Sequence, residues 1–279
     1  MLLIGNYNQL KIARINASGA FLSSDAGEIL LPAKLVPRGI EPGSDINVFI
    51  YTDSEDRLAA TTNKPRAVVG EFARLRVKDN VTVGTFLDWG LGKDLLLPFG
   101  EQTAPLRRGQ EVLVYVYLHD SGRIAASTKL EKFLVPVDST LFEGDQVELL
   151  VYAFSDLGAK VIIDNRFSGL LFGNELLVMP DLGDRLQGYV KKIREDGKID
   201  VTLRKGGAEE AASDRETILA ALENGAGFLP LTDKSQPEAI AARLRLSKKS
   251  FKKAVGGLYK EGTVEITPEG IRLRTKPQV

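Results

Sequence analysis

Hydrophobic and polar positions alternate with a period of two along most of the first 205 residues. Three stretches share one pattern: GSDINVFIYTDSEDRLAATT from Gly43, GQEVLVYVYLHDSGRIAAST from Gly109 and GDRLQGYVKKIREDGKIDVTL from Gly183. Each opens on a glycine, runs through about seven β-prone residues, turns on Asp, Gly and Ser, and closes with a second short strand. That pattern predicts a β-hairpin. The segments upstream repeat as well. LKIARINASGAFLS from Leu10, LRVKDNVTVGTFLD from Leu75 and VELLVYAFSDLGAKVI from Val147 each read as strand, Gly-containing bend, strand. A further strand follows in EILLPA from Glu28, KDLLLPF from Lys93 and GLLFGNEL from Gly169. Five short strands in about 60 residues are the content of one closed barrel of the OB type. The equivalent glycines lie 66 and 74 residues apart, too far for a solenoid repeat, so independent barrels in a row are expected.

After Lys205 the period lengthens. Gly206-Gly207-Ala208 opens a small-residue, acidic hinge. Asp214 is a candidate cap for a helix from Arg215 to about Asn224, with Ile218, Leu219 and Leu222 on one face. Pro237 suits the start of a helix over Pro237 to Leu244, and Ser247 caps a third helix to about Lys260. GTVEITPEGIRLR then reads as two short strands around Pro268-Glu269-Gly270. Three helices and a hairpin describe a winged helix, the alternative being a generic helical cap with an edge hairpin. The expected fold class is multidomain and mainly β. Barrels occupy 1–64, 65–130 and 144–206, a linker or short helix 131–143, and the winged-helix α+β domain 213–279.

Composition then narrows the function. The 279 residues carry 37 basic and 37 acidic side chains, a formal net charge of zero, which excludes a histone-like or strongly acidic tail. With no cysteine there is no thiol nucleophile or thiolate metal site, and the one histidine, His119, excludes a multi-histidine cluster. No GxxxxGK[ST] phosphate loop is present, and no cofactor is implied. His119 sits in a turn beside Asp120 and Ser121, and chain neighbours do not assemble a triad. The chain offers no reaction and no small-molecule substrate. The longest apolar run, Val112 to Leu118, is far short of the ~20 residues of a membrane helix, and Met1 to Gly5 lacks a signal-peptide pattern. A cytoplasmic protein without membrane contact is the expectation.

The third helix carries the sharpest chemistry. Phe251, Ala254, Val255, Leu258 and Tyr259 recur at helical spacing as one apolar stripe. Lys249, Lys253 and Lys260 cluster on the opposite side, with Lys248 and Lys252 on a flank. From Arg243 to Lys260 there are seven basic residues and no acidic one, with Arg272, Arg274 and Lys276 following on the wing. Such a face neutralises phosphates; with few Arg and no Asn or Gln it reads the backbone rather than base edges. Barrel aromatics next to basic residues are candidate stacking platforms for single strands. They are Phe21 in the first barrel, Phe86 and Trp89 in the second, and Phe167 and Phe172 in the third, the last near Lys160, Arg166, Lys191, Lys192 and Arg194. Trp89, at a turn between Asp88 and Gly90, is expected to be exposed.

GAFLSSDAGEILLP and GTFLDWGLGKDLLLP resemble the RNA-binding repeat of ribosomal small-subunit protein one, the S1 domain. SKKSFKKAVGGLYKEG and GFLPLTDKSQPEAI resemble the carboxy-terminal winged helix of the conserved virulence factor B family, whose members carry three S1-like barrels before it. The resemblance spans essentially the whole chain and implies a bacterial, cytoplasmic, non-catalytic RNA-binding protein that influences gene expression. The repeat's strand-two aromatic is matched by Phe21 and Phe86, with Lys160 in the third barrel. Pro32, Pro98 and Phe172 stand where the repeat has a histidine. The third barrel and the winged helix are therefore the expected binding unit for RNA, single-stranded rather than duplex. The first two barrels are left to position that unit or dock a protein partner. The competing readings are a protein-interaction scaffold of degenerate barrels and a DNA-binding regulator acting through the winged helix.

Overall fold

The computed structural model describes every residue but 54, 177, 206, 207 and 275–279, and for 208–211 the backbone alone. The hinge glycines Gly206 and Gly207 and the wing residue Lys276 thus lie outside the described residues. The chain divides into two compact units, Met1–Leu134 and Val135–Val279.

The first unit holds two closed five-stranded barrels and the second holds one, followed by a small helical domain. Their strands are Tyr7–Asn16, Gly19–Ser24, Gly27–Pro32, Asp45–Thr52 and Leu58–Thr61; Phe72–Val81, Gly84–Asp88, Leu95–Pro98, Glu111–Leu118 and Ile124–Ser127; and Gln146–Ser155, Gly158–Ile163, Phe167–Phe172, Arg185–Ile193 and Ile199–Thr202. Every barrel closes in the order first, second, third, fifth, fourth. Only the third and fifth strands run parallel. Alternation produces these strands directly. Along Phe72–Val81, Phe72, Leu75 and Val77 are buried while Arg74, Arg76 and Lys78 face solvent.

Two devices recur in all three copies. The first strand bulges, with register shifts at Ile12/Arg14, Val77/Asp79 and Val151/Ala153. The carbonyl before each bulge accepts the N–H of the repeat glycine: Gly43 to Ile12 at 2.7 Å, Gly109 to Val77 and Gly183 to Val151 at 2.8 Å. Bulges bend strands and let a small sheet close. The second strand begins at Gly19, Gly84 or Gly158, with φ of +143°, +156° and +144°. A Cβ at Gly19 would stand 2.0 Å from the Leu31 carbonyl oxygen. Gly19→Ala should therefore destabilise its unit by about 2 kcal/mol or more, read as a lowered urea midpoint.

The last domain has helices α1 (Ala208–Asn224), α2 (Pro237–Leu244) and α3 (Lys248–Lys260) and a three-stranded sheet of Phe228–Leu229, Val264–Ile266 and Ile271–Leu273, the last strand central. Ile218, Leu222, Ile240, Leu244, Phe251 and Leu258 share its core. Pro237 opens α2, and the Ser247 hydroxyl accepts the Ser250 N–H at 3.1 Å to cap α3. Asp214 departs from expectation: α1 starts earlier, so Asp214 lies inside the helix. It is buried there and accepts from Arg204 of the third barrel at 3.0 Å. Arg204 also donates to the Arg245 carbonyl at 2.6 Å, tying that barrel to both α1 and the end of α2.

Candidate nucleic-acid interface

The first barrel presents Phe21 directly opposite Arg14 across the bulge. The Arg14 guanidinium lies 3.6 Å above the ring centroid and is held there by Glu28 at 2.7 Å. That hydrogen bond holds the Glu28 carboxyl below its ordinary range despite some desolvation. The ring face a base would need is occupied by the barrel's own cation.

In the second barrel, Phe86 is half-buried and lines a concavity of about 470 Å³ with Leu96, Pro98, Lys93 and His119. The flanking cations are drawn into pairs. Lys78 meets Asp94 at 2.7 Å, Arg74 meets Glu111 at 2.7 Å, and the Arg123 Nε meets Asp56 at 2.8 Å. The Lys93 ammonium donates to the carbonyls of Thr52 and Asp53 at 2.8 and 2.7 Å. Burial pushes it below the ordinary lysine range, against the pull of Asp56 and Asp53.

Trp89 corrects the sequence reading. It is 2% exposed, its Nε1 donates to the Lys93 carbonyl at 2.6 Å, and its ring meets Phe49 of the first barrel edge-on at 5.7 Å. The turn between Asp88 and Gly90 faces the neighbouring barrel, so the indole fills the seam between the two and is not open to stacking by a base. Sequence reasoning also passed over His119, which belongs to the Phe86 concavity. A signal existed. His119–Arg123, Asp53–Arg57 and Arg194–Lys198 close the same turn in the three repeats, each by an N–H to carbonyl bond of 2.8 or 2.9 Å. Aligning the turns puts His119 where the third barrel has Arg194.

The third barrel brings some of the expected residues together. Gly158 pairs with Phe172 and Lys160 with Leu170. Ala159 and Leu171 point inward, so Lys160, Leu170 and Phe172 share the outer face. Phe172 is half-buried, with the Arg194 guanidinium 5.9 Å from its centroid. Arg194 is paired to Asp200 at 2.7 Å and Lys191 to Glu175, which follows Phe172 in a short 3-10 turn. Lys192 is exposed. Arg166 lies apart from this group: it stands at the other end of the Phe167–Phe172 strand, packs 4.6 Å from the buried Phe167 ring and pairs with Asp138 at 2.6 Å.

On α3, Phe251, Ala254, Val255 and Leu258 are buried, each large side chain contributing about 1.5–3 kcal/mol of burial. Lys249, Lys252, Lys253 and Lys260 are exposed, and among the described residues no carboxylate lies within ion-pairing distance of them. Glu261 turns to Arg215 instead. Tyr259 departs from the apolar stripe: it is 49% exposed, beside the lysines. The two mid-helix glycines, each costing about 1 kcal/mol against alanine, also separate. A Cβ at Gly257 would meet the Arg215 guanidinium at 2.9 Å, so α1 packs against it, whereas a Cβ at Gly256 would meet nothing within 4 Å.

Among the described residues no helix is long and apolar enough to cross a membrane, and no group of three His, Cys, Asp or Glu could hold a metal ion. Residues 216–273 match the CvfB-like winged helix domain, and 4–63 and 69–129 match the S1 domain. YitL of Bacillus subtilis (strain 168) is 32% identical over 259 residues, 88% of this chain and 85% of that one. Conserved virulence factor B of Staphylococcus aureus (strain N315) is 26% identical over 245 residues, covering 85% and 82%. Among solved structures, a multidomain protein with nucleic acid binding domains from Streptococcus pneumoniae TIGR4 aligns over 97% of this chain and 98% of its own, at 25% identity and a TM-score of 0.42.

Proposed function

The chain belongs to the conserved virulence factor B family, and from that premise we propose that it is a non-enzymatic, cytoplasmic RNA-binding regulator of gene expression. Single-stranded RNA is held by the third barrel together with the winged helix. One contrast carries this reading: Arg14, Lys78, Lys93, Lys191 and Arg194 beside the barrel aromatics are engaged by carboxylates or carbonyls, while Lys249, Lys252, Lys253 and Lys260 stand exposed together on α3 with no carboxylate partner among the described residues. In a chain of zero net charge, α3 is where released counterions supply affinity. Phe172 and Lys160 add an outward aromatic and a cation on the barrel that Arg204 fastens to the winged helix. The first two barrels, with Phe21 covered and Trp89 internal, are left to a protein partner.

The discriminating experiment is a competition. Labelled single-stranded RNA bound to the full chain is challenged with unlabelled single-stranded RNA or duplex DNA of equal length. RNA should compete at least about ten-fold better. Equal or better competition by the duplex would replace this reading with a DNA-binding one.

A further inference from the structure

We infer that Gly256 and Tyr259 form a nucleotide-sized seat on α3, taking one sugar-phosphate of single-stranded RNA in the gap left by the glycine and its base on the tyrosine ring. The inference rests on the RNA-binding reading above and names residues within it.

The helix geometry builds the seat. Residues three and four apart are neighbours on a helix surface. The four such neighbours of Gly256 are Lys252, Lys253, Tyr259 and Lys260, and all four are exposed. A Cβ at Gly256 would touch nothing, so packing does not require glycine there. A helix interior disfavours glycine, and here no fold contact compensates; next door, the Arg215 guanidinium lies against Gly257, so the two glycines differ in their surroundings. What Gly256 leaves is bare backbone ringed by three ammonium groups and one phenol. A phosphodiester can approach the helix there more closely than over any side chain, within reach of all three lysines. The ring beside it offers a π-face to whichever base follows, which suits a flexible single strand whose bases are unstacked.

The test uses the full chain and a fluorescently labelled single-stranded RNA of mixed sequence, followed by anisotropy. Gly256→Gln, which plugs the gap without charge, and Tyr259→Leu should each weaken binding about five-fold or more, the scale of a single base stacked on an aromatic ring. Tyr259→Phe should stay within about two-fold of the parent, because the ring alone is used. Gly256→Ala should weaken RNA binding while leaving the thermal midpoint unchanged or higher, a combination that damage to the fold cannot produce. Parental affinity in both Gly256→Gln and Tyr259→Leu overturns the inference. If Lys249→Glu/Lys253→Glu loses binding while those two variants keep it, the seat is wrong and the RNA-binding helix stands. If the lysine variant also keeps parental affinity, α3 is not the site and both fall.

Discussion

Replacing Lys249 and Lys253 together by glutamate is expected to lower affinity for single-stranded RNA by about a hundred-fold at low salt, and by the same factor for every sequence tested. Both side chains are exposed on α3 without a carboxylate partner among the described residues. Each substitution therefore removes an ammonium that neutralises a phosphate and adds a carboxylate that repels one. Groups that meet phosphates carry no base information, which is why the weakening is uniform. Neither side chain reaches the core built on Phe251 and Leu258, so the thermal midpoint should stay within a few degrees of the parent. A weakening confined to some sequences would mean that α3 reads bases. An unchanged affinity would remove it from the interface.

Trp89→Ala should damage the fold severely, at about 3–5 kcal/mol. The indole is buried, donates to the Lys93 carbonyl and packs on Phe49, so truncation leaves a cavity and an unpaired carbonyl at the seam of the first two barrels. Trp89→Phe should recover part of the loss by refilling most of the volume. The measurement is urea unfolding of the variants followed by far-ultraviolet circular dichroism. In the parent, Trp89 is the single tryptophan, and its emission reports on the same seam. Because the seam belongs to residues 1–134 and the proposed RNA site to 135–279, RNA affinity below the transition should change by less than about two-fold. A stability loss under about 1 kcal/mol would contradict the seam.

The three barrels were legible in the sequence because their determinants are local. Alternation along Phe72–Val81 sets a face, and Gly43, Gly109 and Gly183 mark the same turn in each copy. The cap at Ser247 and the start at Pro237 are equally local signals. What stayed hidden depends on partners distant in the chain. Trp89 looks exposed until Phe49, forty residues earlier, is brought against it. Phe21 looks like a platform until the strand pairing lays Arg14 across it. Asp214 has the chemistry of a helix cap, but Arg204 holds it inside the helix. Tyr259 falls at the edge of the apolar stripe, where periodicity alone does not decide between core and solvent. Gly256 and Gly257 are indistinguishable in sequence and separate only when Arg215 is seen to press on one of them.

The decisive measurement is the affinity of the full chain for single-stranded RNA across a salt series. Phosphates held by Lys249, Lys253 and Lys260 predict a fall in log affinity against log salt with a slope of about −2 or steeper, at ~0.7 per phosphate on a single strand, and a slope about 1.4 units shallower when Lys249 and Lys253 are replaced by alanine. A flat line in the parent, or the same slope in parent and variant, would contradict binding through the lysines of α3.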